Sequence, residues 1–123
     1  MKKDSIQFDS PFELKETESI VLQGNNDGLT ITLQVVNDSR CPINALCISA
    51  GKAQIRLKLS DNSGAEKFTE LCLGFCDSKN NTEDAAVIHL NNVSYTVVLK
   101  EVSPFPELGK NQDKKALLIV KKN

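Results

Sequence analysis

The sequence predicts an all-β chain: a single-domain antiparallel β-sandwich, immunoglobulin-like or similar, with seven to nine strands. Three observations carry this. Apolar and polar residues alternate with a period of two over 29–35, 53–59 and 93–99. Clusters of Gly, Asn, Asp and Ser punctuate the chain at short, regular intervals. No stretch repeats with the period of an amphipathic helix of normal length. Many short strands separated only by turns and loops fit a sandwich better than any α/β fold.

The elements follow in chain order. Residues 1–10 are expected to be a flexible N-terminal segment and 11–123 the domain. Phe12-Glu13-Leu14 and Ile20-Val21-Leu22 make a first pair of short strands. Gly24-Asn25-Asn26-Asp27-Gly28 is a turn of residues that tolerate positive φ. Leu29, Ile31, Leu33 and Val35 then form the apolar side of a half-buried strand. Ala53, Ile55, Leu57 and Leu59 do the same for the next, and Asp61-Asn62-Ser63-Gly64 is a hairpin turn. Residues 65–75 return as a strand with a less clean period, and 78–84 read as a polar loop. Residues 86–90 are a short strand, Asn91-Asn92 a two-residue turn, and 93–99 the strand that follows. Pro104 and Pro106 end it, because proline cannot donate to a sheet ladder. A loop to Lys115 leads into a last strand over 116–120. The predicted core is Leu29, Ile31, Leu33, Ile55, Leu57, Val97 and Leu99.

With 123 residues the chain suits one domain with a real core. Its 15 Lys plus Arg against 16 Asp plus Glu give no electrostatic reason to expect nucleic acid or an anionic membrane surface. Lys110, Lys114, Lys115, Lys121 and Lys122 read as a solvated C-terminal hairpin. No apolar run reaches the length of a membrane span. Met1-Lys2-Lys3 resembles the start of a signal peptide, but polar residues stand where the apolar segment belongs. Four cysteines at close spacings with one His fit disulfides better than a metal site. The expectation is an exported chain, periplasmic or at the cell surface, whose signal has been removed.

Cys41 and Cys47 enclose five residues, with Pro42 bending the segment. A bridge there stabilises by about 2 kcal/mol in the loop-entropy model. Cys72 and Cys76 pose a harder case. Residues four apart in a continuous strand lie about 13 Å apart, whereas a disulfide needs Cα atoms within about 7 Å. A local bridge therefore requires Leu73-Gly74-Phe75 to turn or bulge, and Gly74 is the residue that allows it. Local pairing is the favoured reading; crossing pairs remain open. The alternative is a cysteine-based metal site. Cys72 and Cys76 have a zinc-like spacing, Cys41 and Cys47 a loose one. A copper site using cysteine and His89 is weaker, since His89 reads as an ordinary strand residue. No cofactor is expected.

Enzyme signatures are absent: there is one His, no glycine-rich phosphate loop and no nucleophile elbow. Arg40, one of two arginines, stands close to Asp38 and directly before a cysteine. Its fork of donors suits a structural clamp on carboxylate or carbonyl oxygens.

Around this loop the chain resembles a family of small exported bacterial proteins, often lipoproteins, of unassigned function. The shared residues are Asp38-Ser39-Arg40-Cys41-Pro42, a short spacer, then Cys47-Ile48-Ser49-Ala50-Gly51 leading into a strand. Upstream the likeness takes in Phe12, Leu14 and residues 29–36. Downstream it takes in Tyr95, Val97, Leu99, Val102, Pro104 and Pro106. Ser49 stands where the family usually has Trp, and Cys72 and Cys76 look like an addition. The resemblance implies a cell-envelope or secreted setting and a Cys41–Cys47 disulfide; it implies no activity. The sequence thus points to a non-catalytic exported domain, a binding or structural module whose partner is a protein or a glycan.

Overall fold

The computed structural model describes residues 5–23, 28–110 and 112–123. Among them the chain forms ten strands: β1 (Ser5–Gln7), β2 (Phe12–Lys15), β3 (Ser19–Gln23), β4 (Gly28–Asp38), β5 (Lys52–Asp61), β6 (Glu66–Cys76), β7 (Lys79–Asn81), β8 (Asp84–Leu90), β9 (Val93–Ser103) and β10 (Lys115–Lys122). They build two sheets, β1-β3-β4-β5-β6-β7 and β2-β10-β9-β8. Every pairing is antiparallel except the short one between β1 and β3. The chain is a β-sandwich, as its alternation predicts. Among the described residues no helix is long and apolar enough to cross a membrane.

The alternating residues meet between the sheets. Ile20, Leu22, Leu29, Ile31, Leu33, Ile55, Leu57, Leu59, Leu71 and Leu73 from one sheet pack in one cluster with Phe12, Leu14, Tyr95, Val97, Leu99, Leu118 and Val120 from the other. All seven predicted core residues are buried, and among the described residues the cluster they belong to contains no charged side chain. Burial of this continuous apolar layer is the dominant force holding the two sheets together.

The alternation fails at one predicted position. Val35 is half-exposed rather than inward, and Val36 packs against the core instead. The β4–β5 register shifts between Leu33 and Val35. One extra residue in a strand turns every later side chain to the opposite face.

Two short strands form where the period-two pattern gives no signal. In the polar loop expected over 78–84, β7 pairs with the end of β6 through Gly74↔Asn81, Phe75↔Asn80 and Cys76↔Lys79. Asp77 and Ser78 make that reversal with φ of 50° and 67°. Near the N-terminus, β1 joins β3, the Phe8 ring stacks on Tyr95 at 5.8 Å, and Asp9 N–H bonds the Val120 carbonyl. The segment set apart as 1–10 is thus tied to both sheets from Ser5 onward; residues 1–4 lie outside the described residues. Residues 24–27 of the predicted turn before β4 also lie outside them. At Asn91-Asn92 both residues have positive φ, 49° and 68°, the two-residue hairpin turn that asparagine favours.

Candidate functional site

The connection from β4 to β5, residues 39–51, stands at one end of the sandwich. Its base is closed by Ser39 N–H on the Lys52 carbonyl at 2.8 Å and Cys41 N–H on the Ala50 carbonyl at 2.7 Å. Gly51 makes the return. Its φ is +75°, and a Cβ there would lie 2.1 Å from the Ser39 carbonyl oxygen, so only glycine fits. Beyond the base, Cys41 and Cys47 are joined, with Cα atoms 5.9 Å apart. The loop also docks on the connection between β9 and β10. Ile43 N–H bonds the Pro106 carbonyl, and the Asn44 amide grips Leu108, accepting from its N–H at 2.8 Å and donating to its carbonyl at 3.3 Å.

Beneath the loop lies a charged cluster. Asp38, at the end of β4, is 3% exposed; Arg40 is 10% and Lys114 17% exposed. Arg40 meets Asp38 in a two-pronged pair, Nε to Oδ1 at 2.8 Å and Nη2 to Oδ2 at 2.7 Å. The same Nη2 donates to the Val102 carbonyl of β9 at 2.8 Å, and the guanidinium lies 4.2 Å over the Phe105 ring. Lys114 Nζ closes on Asp38 Oδ2 at 3.0 Å and donates to the Pro104 carbonyl at 2.6 Å. Burial pushes the Asp38 carboxyl up. Hydrogen bonds from Arg40 and Lys114, the Arg40 amide and the guanidinium charge outweigh it and hold the group below the usual carboxylate range. The arrangement is a clamp: it joins β4 of one sheet to β9 and the 104–114 connection of the other.

Cys72 and Cys76 are joined to each other, with Cα atoms 6.3 Å apart. That is half the span of a continuous strand, and Gly74, at φ +93°, is where β6 turns and its pairing with β5 ends. A Cβ on Gly74 would sit 2.8 Å from the Gly51 carbonyl oxygen, which accepts Phe75 N–H. Cys72 keeps its register opposite Gln54, and side chains satisfy its backbone: Asp84 accepts from its N–H, and Asn81 donates to its carbonyl. The two stapled segments therefore touch. Between them and β9 opens a shallow cleft of about 300 Å³, lined by Arg40, Gly51, Gly74, Asn81, Lys100 and Phe105 among others. The Lys100 ammonium there is paired with Glu83.

What the loop displays is apolar. Leu46 and Ile48 are 103% and 109% exposed, and Ile43 and Leu108 beside them are also exposed. Among the described residues, no protein group bonds the backbone N–H or C=O of Leu46, Cys47, Ile48 or Ser49. The tip is therefore held at its flanks and bare at its summit. With every cysteine in a disulfide, no thiolate is available to a metal. Among the described residues no three His, Cys, Asp or Glu gather as a donor set, and His89 is exposed on β8.

Asp38, Arg40, Cys41 and Cys47 come together as one unit, and Cys72 and Cys76 lie across the cleft from it. The sequence pattern places Lys114 on a solvated hairpin with Lys110, Lys115, Lys121 and Lys122. It is instead drawn inward, because a carboxylate that is 3% exposed needs more than one cation's donors to fill its acceptor sites. Phe105 and Asn44 also escape a reading of the sequence. Phe105 follows directly after the Pro104 break, and the Asn44 partner is 64 residues away, so neither leaves a local signal. Compared with known protein families, curated proteins and solved structures, the chain matches none.

Proposed function

We propose that this chain is a non-catalytic binding domain of an exported protein and that the stapled end is its binding surface. The setting is a bacterial envelope, periplasmic or cell-surface, or the medium. Two disulfides support that, because such bonds persist in oxidising compartments, and the resemblance over 38–51 points the same way.

The observation that carries the reading is the complete exposure of Leu46 and Ile48 on a loop fixed by a disulfide, a buried clamp and the Asn44 contacts. Exposed aliphatic side chains that cluster mark interaction surfaces. Fixing them beforehand lowers the ordering entropy lost on binding. A titration of methyl-labelled protein with envelope proteins and envelope glycans tests this. The Leu46 and Ile48 methyl signals are expected to move first, with Leu46→Asp abolishing the response. Shifts confined to another face would sink the reading.

A further inference from the structure

The proposed binding surface has a chemistry narrower than apolar contact. Four consecutive residues, 46–49, keep their backbone donors and acceptors free, while the aliphatic side chains of Leu46 and Ile48 flank Cys47 and are fully exposed. A lipid surface is a poor occupant, since bare peptide groups have no partner in hydrocarbon. A partner that suits both features supplies its own backbone for β-type hydrogen bonds and an apolar pocket beside them. Peptidase clefts are built that way, and their specificity pockets take a single side chain.

Resting on the binding reading above, we infer that residues 45–49 form an inhibitory loop for an endopeptidase with an aliphatic pocket, with Leu46 entering the pocket. Both side chains are fully outward, and Leu46 is the better anchor because it is unbranched at Cβ; Ile48 fits the neighbouring subsite. Position also argues for inhibitor over substrate. The Leu46–Cys47 peptide bond lies inside the ring closed by Cys41 and Cys47. Hydrolysis there would add one water, giving a carboxylate on Leu46 and an amine on Cys47, yet the disulfide and the Asn44 contacts would keep both ends in place. Tethered ends favour resynthesis of the bond over release.

The test is steady-state inhibition of chymotrypsin, subtilisin and elastase by the intact, oxidised protein. Inhibition of at least one is expected, weakened roughly a hundredfold or more by Leu46→Asp, in line with the loss of a central interface anchor. Leu46→Lys should transfer inhibition to trypsin. Replacing Cys41 and Cys47 by Ser should turn the loop into a substrate cut after position 46. No inhibition of any of the three, equal inhibition by Leu46→Asp, or no gain towards trypsin each overturns the inference. A photo-cross-linker at position 48, used in the producing cell, separates the two levels. Adducts only with non-peptidases overturn the inhibitor assignment and leave the binding surface standing. No adduct, together with unmoved Leu46 and Ile48 methyl signals, removes both.

Discussion

Cys41–Cys47 closes a ring in a loop that lies wholly outside the core; Cys72–Cys76 closes a smaller ring inside strand β6. By chain entropy alone the two bonds are nearly equivalent, each stabilising by about 2 kcal/mol. Their surroundings differ. The second bond spans a turn at Gly74 beside a Cys72 backbone that Asp84 and Asn81 already hold, and its neighbours are paired strands. The first fixes a tip that no strand pairing supports, above a clamp of three charged side chains. The same covalent chemistry reinforces paired strands in one place and closes an unpaired tip in the other.

Changes at the backbone contact that both segments share should have the largest effect. Gly51→Ala places a Cβ against the Ser39 carbonyl at positive φ and is expected to cost about 4 kcal/mol, read as a drop in the urea midpoint. Gly74→Ala meets a longer contact and should cost less; the reverse order would break the idea that the loop base is the tighter of the two. Next comes the clamp. Asp38→Ala leaves Arg40 and Lys114 facing each other without their carboxylate and should cost about 3 kcal/mol. A buried ion pair is not by itself a source of stability, so replacing the whole cluster with apolar residues should cost much less than breaking it.

Removing either disulfide by paired Ala substitutions should cost about 2 kcal/mol. The contrast lies in hydrogen exchange. Loss of Cys41–Cys47 should speed exchange across 41–50, while loss of Cys72–Cys76 should leave most of β6 protected. Similar loosening in both would erase the distinction.

The smallest effect is titration. The folded Asp38 carboxyl lies below its ordinary value of about 3.9. Its contribution is therefore complete above that value and is lost as the pH falls through the folded one. A urea midpoint that declines below about pH 4, with a shallower decline in Asp38→Asn, is the expected result. Asp61, held low by the Ser63 hydrogen bonds in its exposed turn, acts in the same direction with less effect.

The strands legible in the sequence are those whose pattern is set by burial on one face. Leu29, Ile31 and Leu33, or Val97 and Leu99, announce their direction because a slip of one residue would put them in water. Val35 defeats that reading because a bulge depends on the partner strand rather than on the residues that carry it. β7 gives no signal, since Lys79-Asn80-Asn81 contributes backbone bonds and no buried side chain. In the site the same division holds. Asp38 and Arg40 are two residues apart and can be paired on sight. Lys114 reaches them only because the β9–β10 connection folds back over the loop, a consequence of tertiary path with no local trace.

The clamp also sets how the molecule would bear mechanical load. A partner pulling on Leu46 or Ile48 pulls on a loop anchored to β4 and β5 by its base and to β9 and the 104–114 connection by Arg40, Lys114 and Asn44. Tension applied at the tip is divided between the two sheets, and peeling β4 from β5 would first require rupture of contacts that belong to the other layer. Without Arg40, Lys114 and the contacts of Ile43 and Asn44, the same force would fall on a single hairpin, where the backbone bonds at the loop base would break in succession.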